Sequence, residues 1–362
     1  MPQVDWTAVR RLLVVRLDNI GDVILTGPAT LALRRALPDA RITLLASPAG
    51  AEAAPLLPWI DEVITLRALW QDASGSLPFD PARELALVGE LAAGRFDAAV
   101  IFTSFSQSPF PPAYACYLAG IPVRAGQAKE FGGGVLSYQA EPAPFECHQA
   151  ARNIHLVESA GIPVEDDHLV LCVPSAAPDA AARLLSAAVI APGDDFIAVA
   201  PGASCPARRH DPERFAEAAR LIGAGRGLRV VALGSDRDRD ACELAARAAD
   251  GANLAGATSI PELAAVIQRA ALVLCNDSGP MHIADAFARP QVVLYSGSEL
   301  ESQWRPRRSP HVLLRRETDC SPCYRFDCPH AMACLDIPPG EVAAAANSLL
   351  GRLAETTEGA LA

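Results

Sequence analysis

Hydrophobic and polar positions alternate along this chain in a way that predicts strands and helices in turn. In the first half, short apolar runs typical of buried strands lie at 12–15, 42–46, 63–66 and 98–102. Between them apolar residues recur at helical spacing, most clearly over 81–93, where a proline opens the pattern and Gly94 follows it. Strands that alternate with helices indicate a parallel sheet with helices on both faces.

The same alternation begins again in the second half. Strand-like runs lie at 196–200, 228–233, 272–276 and 292–295, and helical patterns lie at 212–222, 236–249, 261–269 and 282–288. Segment 223–227 predicts a glycine-rich turn, and 174–193, rich in proline and alanine, predicts a domain junction.

The chain is therefore predicted to have an α/β fold with two Rossmann-like, doubly wound domains, 1–175 and 190–340, facing each other across a central cleft. Ligands of such sheets bind beyond the carboxyl ends of the strands. Residues 341–362 predict a C-terminal helix and tail, which we expect to pack back on the N-terminal domain.

Composition narrows the class of protein. The 362 residues are 51% hydrophobic and 20% charged, enough for sizeable cores, and the net charge of -11 argues against a nucleic-acid partner. No apolar run reaches the roughly 20 residues that span a bilayer, and residues 1–15 lack the layout of a signal peptide. We expect a cytoplasmic protein, and leave peripheral contact with the inner membrane open.

The most informative segment is Asn276-Asp-Ser-Gly-Pro-Met-His282. It follows a predicted strand, and Pro280 suits the first turn of the helix that comes next. Free backbone N–H groups and the positive end of the helix dipole make such a turn an anion site. Asp277 and His282 place polar side chains beside it, so the segment predicts a pocket for a phosphate-bearing ligand.

A second segment, Arg16-Leu-Asp-Asn-Ile-Gly-Asp22, directly follows the first predicted strand. Gly21 permits a turn that presents Asp22 at the edge of the sheet. A carboxylate there could accept a proton from a hydroxyl nucleophile, or it could only cap a helix. Pro28 places the start of the longer helix near Thr26, and spacing alone leaves both interpretations of Asp22 open.

Polar turns also follow two strands of the second half. Segment 201–210 contains Ser204, Arg208 and Arg209, and arginine binds phosphate in a planar fork. The alternative is a pair of solvated arginines before a helix. Asp236, just past the next strand, either bonds ribose hydroxyls or caps a helix.

Two common nucleotide motifs do not occur. No Gly-x-Gly-x-x-Gly follows the first strand, and the chain has no Gly-Lys-Ser/Thr of a phosphate-binding loop. Both facts lower the expectation of a dinucleotide oxidoreductase or a P-loop ATPase.

Four cysteines lie within fifteen residues, at Cys320, Cys323, Cys328 and Cys334. Four thiolates can hold Zn²⁺ tetrahedrally, and an iron–sulfur cluster is a weaker alternative. The second pair is more widely spaced than usual zinc ligands, and the alternative is that reduced thiols pack a loop. A metal here, if present, is expected to be structural.

Taken together, these segments resemble glycosyltransferase family 9, the ADP-heptose:lipopolysaccharide heptosyltransferases. The resemblance spans about 12–342. It is carried by the Arg16–Asp22 turn with Thr26-Gly-Pro28, by Pro58-Trp-Ile-Asp-Glu-Val-Ile64, by Asn253-Leu-Ala-Gly-Ala-Thr-Ser259 with Pro261-Glu-Leu263, by Asn276–His282 and by the cysteine-rich stretch 319–335.

The resemblance implies a GT-B architecture, with an acceptor domain followed by a donor domain. It implies inverting transfer of a heptose from ADP-heptose to a lipopolysaccharide core acceptor of the lipid A–Kdo type, without a catalytic metal. Asp22 matches the general base. Donor-binding positions are matched by Ser204, Arg209, Asp236, Asp277, Ser278, Gly279 and His282. Arg124 and Lys129, in the less regular middle segment, are assigned to the acceptor phosphates.

One departure from the family pattern concerns the donor. Many members have lysine followed by tryptophan where this chain has Arg209-His210-Asp211, so the charge is kept and the aromatic contact is lost. Three alternatives therefore stay open: a related enzyme that uses another nucleotide-sugar, a non-catalytic nucleotide-sugar-binding protein, and a metal- or redox-responsive interaction protein built on 320–334.

Overall fold

A computed structural model describes residues 4–72 and 75–361, with side chains up to residue 356. The chain divides into two compact units, Met1–Cys172 and Val173–Ala362. The division falls three residues before the predicted end of the first domain. Residues 1–3 of that predicted domain, residues 73 and 74, and residue 362 of the predicted tail lie outside the described residues.

The first unit contains six strands and six α-helices among its described residues. The strands are β1 (Arg11–Arg16), β2 (Arg41–Ala46), β3 (Glu62–Thr65), β4 (Ala98–Ile101), β5 (Val123–Gln127) and β6 (Tyr138–Ala140). The helices are α1 (Ile20–Ile24), α2 (Gly27–Ala36), α3 (Pro48–Ala51), α4 (Pro81–Gly94), α5 (Phe110–Leu118) and α6 (Gln149–Ser159). Short 3-10 helices cover Ala54–Leu56 and Leu69–Gln71.

The second unit has the same number of strands in its described part. They are β7 (Phe196–Ala200), β8 (Arg229–Ala232), β9 (Ala252–Asn253), β10 (Leu272–Asn276), β11 (Gln291–Leu294) and β12 (His311–Leu314). The helices are α7 (Ala176–Ala187), α8 (Pro212–Arg226), α9 (Arg239–Ala248), α10 (Ile260–Arg269), α11 (Gly279–Ala286), α12 (Glu301–Trp304) and α13 (Pro339–Leu361). The 3-10 helices are Pro206–Arg208, Asp236–Asp238 and Ala333–Leu335.

Both sheets are parallel and have the same strand order. The first runs β3-β2-β1-β4-β5-β6 and the second β12-β11-β10-β7-β8-β9, which is the same doubly wound order counted from the other edge. Central strands such as β1, β7 and β10 are buried almost throughout, as helices on both faces require. The predicted α/β class with two Rossmann-like, doubly wound domains is confirmed.

Each unit has its own apolar core. In the first, β1 residues such as Leu13 and Val15 pack with Leu91 of α4 and Cys116 of α5. In the second, the core is formed by residues of β7, β8, β10 and β11 with helices α8, α9 and α13. The buried cysteines Cys116, Cys242 and Cys275 are small apolar residues of these interiors, and burial raises the pKa of each thiol.

Two segments differ from their predictions. Segment 174–193, expected as a junction, contains α7, a helix that packs on α10 of the second unit. The predicted glycine turn at 223–227 is the last part of α8, which ends where Gly227 takes a φ of 65°. Residue 223 lies inside that helix, and it is a glycine because a Cβ there would approach the Leu228 carbonyl oxygen to 3.0 Å. The glycine serves close packing rather than a turn.

The described apolar residues of α13, Val342, Ala343, Ala346 and Leu349, belong to the core of the second unit, where α13 packs on α8. Packing of the tail against the N-terminal domain stays a prediction. Among the helices in the described part of the chain, none is long and apolar enough to cross a membrane.

Candidate active site

Each sheet has a topological switch point, where neighbouring strands lead to helices on opposite faces. In the first unit it lies between β1 and β4, and in the second between β7 and β10. Loops after these strands are where doubly wound sheets bind ligands. The predicted turns at 16–22, 201–210 and 276–282 all leave these strands at their carboxyl ends.

The first cluster is organised by Arg16, the last residue of β1, whose side chain is fully buried. Its Nη2 lies 2.7 Å from Asp22 Oδ1 and donates to Ser104 Oγ, also at 2.7 Å. Its Nε lies 2.8 Å from Asp18 Oδ2. Ser104 belongs to the loop after β4, so the guanidinium joins the two loops of the switch point.

Asp22 has the capping contact that its sequence allowed, and its role as a base stays a prediction. It is the third residue of α1, and its Oδ2 accepts a hydrogen bond from the Asn19 backbone N–H at 3.1 Å, as in a capping box. Its other oxygen faces Arg16. The side chain is 14% exposed, so a carboxylate fixed on both sides still has an accessible part.

Asp18 lies on the other side of the same guanidinium. Gln107, from the loop after β4, donates to its Oδ1, and the Asp18 side chain is only 11% exposed. Burial raises the pKa of the Asp18 carboxyl and the nearby charge of Asp22 adds to this, although Arg16 and the Gln107 hydrogen bond act in the opposite direction.

The two residues assigned to acceptor phosphates lie in different settings. Arg124 is near the start of β5, is 7% exposed, and donates to the carbonyls of Ile121, Pro122, Gly134 and Val135. Its guanidinium therefore ties the loop before β5 to the loop before β6, and the acceptor assignment of Arg124 does not fit this position. Lys129 follows the carboxyl end of β5 and is exposed, with Nζ 4.9 Å from the centre of the Phe145 ring.

The second cluster lies at the switch point of the second sheet, where Asn276 joins the two loops. Asn276 Nδ2 donates to the Pro201 carbonyl at 2.7 Å, and its Oδ1 accepts from the His210 N–H at 3.3 Å. The next residue, Asp277, is buried and accepts from Ser296 Oγ at 3.1 Å. Burial raises the pKa of Asp277 to about 7, although Arg208 and the Ser296 hydrogen bond oppose this.

Of the two neighbouring arginines, Arg208 and not Arg209 faces Asp277. Arg208 Nε is 3.8 Å from Asp277 Oδ2 and 3.1 Å from Ser298 Oγ, and Nη2 is 2.7 Å from Glu299. Arg209 is exposed, and its guanidinium donates to the Ala203 carbonyl at 2.9 and 3.1 Å. Ser204 is exposed on the same loop.

Helix α11 begins beside this carboxyl, with Ser278 as its N-cap and Gly279 as its first residue. Both are partly exposed, whereas His282 is 6% exposed. Because Pro280 has no N–H, the backbone donors of the first turn come from its neighbours. The predicted strand, turn and helix N-terminus are present, with the positive end of the helix next to a buried carboxyl.

Asp236 lies one strand away, in the 3-10 helix after β8, and is paired with Arg239 on the surface. The capping role falls to Asp238, which accepts from both the N–H and the hydroxyl of Ser235. Asp238 also explains why residue 202 is a glycine, because a Cβ there would lie 2.5 Å from the Asp238 carboxyl. The two carboxylates of Asp236-Arg-Asp238 are therefore both bound within the loop.

The cysteine-rich loop 319–335 packs on this cluster through its backbone. The Ala207 N–H donates to the Phe326 carbonyl at 2.9 Å, and Tyr324 N–H donates to the Ser298 carbonyl at 2.8 Å. The loop thus fixes both segments that flank Arg208.

The four cysteines of this loop are free thiols. Within the described residues, the group of three or more potential ligands whose atoms lie within 4.8 Å of one another is the exposed set Asp166, Asp167 and His168. Zinc binding by Cys320, Cys323, Cys328 and Cys334 stays a prediction.

Several residues of these clusters were not identified from the sequence. Ser104 and Gln107 lie in a serine- and proline-rich segment, and Ser296, Ser298 and Glu299 follow β11. The first two follow β4, the neighbour of β1, and the other three follow β11, the neighbour of β10. The strand order at the switch point would have indicated them, but that order is a tertiary property.

The fold has close counterparts among solved structures. A glycosyltransferase family 9 protein from Veillonella parvula matches with a TM-score of 0.74 at 21% identity, over 95% of this chain and 98% of that one. The ADP-heptose lipopolysaccharide heptosyltransferase II of E. coli matches with a TM-score of 0.71 at 24% identity, over 94% and 99%. The chain therefore has the GT-B architecture, as the resemblance to the family implied.

The family follows from the sequence match. The model of glycosyltransferase family 9 (heptosyltransferase) matches residues 85–333, and the chain belongs to this family and is a glycosyltransferase. Lipopolysaccharide heptosyltransferase 2 of Escherichia coli K12 is 29% identical over 80% of this chain and 83% of its own length. Lipopolysaccharide heptosyltransferase 3 of the same organism is 26% identical over 79% and 82%.

Proposed function

We propose that this enzyme transfers a heptose from ADP-heptose to a lipopolysaccharide core acceptor of the lipid A–Kdo type, with inversion at the anomeric carbon. Family membership supports glycosyl transfer, and the names of the relatives at 29% and 26% identity support heptose and the lipopolysaccharide core. The observation that carries the mechanism is the partly exposed Asp22 carboxylate, held by a buried arginine at the end of β1.

Asp22 is proposed as the general base. One of its oxygens takes the proton of the acceptor hydroxyl while the acceptor oxygen forms the new bond to the anomeric carbon. The bond from that carbon to the diphosphate breaks in the same displacement, and ADP leaves with the electron pair. Arg16 keeps the carboxylate in place, because its Nη2 is bonded to both Asp22 and Ser104.

The second unit is proposed to hold the donor. The first turn of α11, at Ser278 and Gly279, provides backbone donors and a favourable dipole for the diphosphate. Arg209 and Ser204 lie on an exposed loop, where the guanidinium can exchange the Ala203 carbonyl for a phosphate oxygen. These groups stabilise the charge that develops on ADP, so the step is proposed to need no catalytic metal.

Asp277 is proposed to bond the sugar hydroxyls. A carboxyl with a pKa of about 7 exists in both protonation states near neutral pH, so it can donate to or accept from a hydroxyl. His282 and Asp236 complete the donor assignments. Lys129 is proposed to meet an acceptor phosphate, and a glycolipid acceptor would place the reaction at the cytoplasmic face of the inner membrane.

A binding and transfer screen tests this proposal. Purified protein is titrated with ADP, UDP, GDP and CDP and then assayed with the corresponding sugars and a lipid A–Kdo acceptor. We expect preference for ADP and transfer of heptose. Preference for another nucleotide would favour a related transferase, as the Arg209-His210-Asp211 departure allows. Tight ADP-heptose binding without transfer to any core acceptor would favour a non-catalytic sugar-binding protein.

A further inference from the structure

The carboxylates of Asp18 and Asp22 share one cation. Arg16 is fully buried, with Nε 2.8 Å from Asp18 Oδ2 and Nη2 2.7 Å from Asp22 Oδ1. The two carboxyl side chains are 11% and 14% exposed, so water screens them only partly. One guanidinium therefore serves two acids in a setting where charges act strongly on each other.

The contact to Asp18 is the less complete of the two. Arg16 Nε is close to Asp18 Oδ2, but the N–H is not directed at that oxygen, and both atoms are buried without a hydrogen bond among the described residues. Asp18 Oδ1 accepts from Gln107. Asp22, in contrast, receives directed hydrogen bonds on both oxygens. The negative charge of Asp18 is thus incompletely compensated, in line with the raised pKa of its carboxyl group.

Few other charges face this group. The charges that act on Asp18 are those of Arg16 and Asp22. From α6, Arg152 approaches Arg16, stacks on Phe105 and donates to the Thr103 carbonyl at 3.2 Å. The other titratable group that acts on Arg152 is the Cys147 thiol, and burial raises the pKa of that thiol. The balance between Asp18 and Asp22 is therefore set mainly by the arginine that they share.

We infer that Asp18 is a positioning residue for the base, which acts through Arg16 to set how strongly Asp22 attracts a proton. When Asp18 is ionised, its negative charge offsets the positive charge of Arg16 at Asp22, and Asp22 becomes more basic. When Asp18 is protonated, the charge of Arg16 acts on Asp22 without that offset and weakens it as a base. The inference rests on the proposed role of Asp22 in proton transfer.

Two acids coupled in this way titrate as a pair with two macroscopic pKa values. In the wild type, kcat should therefore rise with pH until the pH exceeds the higher of these two pKa values. Asp18→Asn leaves one acid, without a neighbouring anion, so the rise should end about one pH unit lower. The plateau of kcat should fall roughly three- to tenfold, because a less basic carboxylate is a weaker catalyst.

The kinetic test compares pH profiles of kcat with ADP-heptose and a lipid A–Kdo acceptor. The matched control is Glu165→Gln, which removes one carboxylate from the exposed Arg35–Glu165 pair of the same unit and should leave the profile unchanged. An Asp18→Asn profile that superimposes on the wild type would overturn the inference. A purely structural role of Asp18 would lower activity or stability without moving the pH at which kcat levels off.

A second measurement does not depend on turnover. Carboxyl ¹³C signals of labelled aspartate are followed by NMR against pH, with Asp18 and Asp22 assigned from the signals lost in Asp18→Asn and Asp22→Asn. We expect the Asp22 signal to respond in two steps in the wild type and in one step in Asp18→Asn. Identical Asp22 titrations in the two proteins would also overturn the inference.

Asp22→Asn separates this inference from the proposed function. Full turnover in Asp22→Asn would remove Asp22 from the mechanism and the inference with it. Loss of turnover in Asp22→Asn together with an unchanged profile in Asp18→Asn would reject the role of Asp18 alone.

Discussion

Each of the two sheets places an arginine beside a carboxyl group at its switch point, but the two pairs differ in distance and burial. In the first unit Arg16 touches Asp22 at 2.7 Å, and the carboxylate is 14% exposed. In the second, Arg208 lies 3.8 Å from Asp277, whose side chain is 4% exposed, and its shorter contact, at 2.7 Å, is to Glu299. Asp277 therefore loses water without gaining a close cation.

The difference comes from the element that carries each arginine. Arg16 is the last residue of a central strand, so the sheet fixes its position directly before the loop that carries Asp22. Arg208 ends a short 3-10 helix and is shared with Ser298 and Glu299 of another loop. The switch point thus has a held carboxylate after β1 in one unit and, in the other, a carboxyl after β10 whose pKa is raised to about 7.

The largest effect on turnover is expected at Asp22, whose carboxylate is bound directly by Arg16. Asp22→Asn keeps the shape and a contact to Arg16 but cannot take a proton, so kcat should fall about a hundredfold or more. Calorimetry should show unchanged affinity for ADP-heptose. Turnover within a factor of about three of the wild type would show that the base lies elsewhere.

The next effect concerns the buried carboxyl. The pKa of Asp277 is about 7 in the fold, against 3.8 when free, so the unfolded chain releases its proton first. The stability that is lost by burying Asp277 thus increases as pH rises from about 4 to 7 and is constant above pH 7. Asp277→Asn removes the cost, and its gain in stability over the wild type should be roughly 3 kcal/mol larger at pH 8 than at pH 5.

Thermal unfolding at the two pH values measures this gain. The melting temperature of Asp277→Asn relative to the wild type should be several degrees higher at pH 8 than at pH 5. An equal difference at both pH values would mean that Asp277 is ionised throughout, and the contrast between the two clusters would disappear.

A smaller effect, on ADP affinity, is expected from Arg209, the exposed one of the two neighbouring arginines. Arg209→Ala removes an exposed guanidinium that is bonded only to the Ala203 carbonyl within the described residues, so the fold should be unaffected. The Kd for ADP should rise about tenfold, the usual effect of one charge-assisted hydrogen bond. Calorimetry with ADP measures it, with Arg220→Ala on the exposed face of α8 as the control. Unchanged ADP affinity would reject the phosphate role of Arg209.

The smallest effect is expected from a chelator. EDTA added during the assay should leave kcat unchanged, because Arg209 and the N-terminus of α11 are proposed to stabilise the leaving diphosphate. A loss of activity that Mg²⁺ restores would contradict this. Metal analysis of the purified protein tests the separate prediction that Cys320, Cys323, Cys328 and Cys334 hold structural zinc.

Sequence patterns predicted most of the central strands, because buried parallel strands are continuous apolar runs. The run at 196–200 coincides with β7, and 272–276 with β10. They did not predict β6, β9 or β12, which are short, lie at sheet edges and are only partly buried. They also missed the interior strand β5, whose residues Val-Arg-Ala-Gly-Gln do not form an apolar run. Nor did they predict α7, because a run of alanines with a proline resembles a linker as much as a helix.

Site residues divide in a similar way. Asp22, Asp277 and the turn at Ser278 could be placed from the sequence because each directly follows a predicted strand. Arg124 could not, since only the packing shows that its guanidinium is used by four backbone carbonyls. The choice between Arg208 and Arg209 was also beyond the sequence, because adjacent residues of an irregular loop can point in opposite directions.

The sequence by itself determined the alternation of strands and helices, the family and the positions of the two polar turns, because these depend on residues close together in the chain. Only the tertiary structure decided which groups meet Asp22 and Asp277. Ser104 and Gln107 reach the first cluster from 88 and 89 residues away, and Glu299 bonds Arg208 from 91 residues away. Such contacts depend on which strands become neighbours, and no local pattern records that.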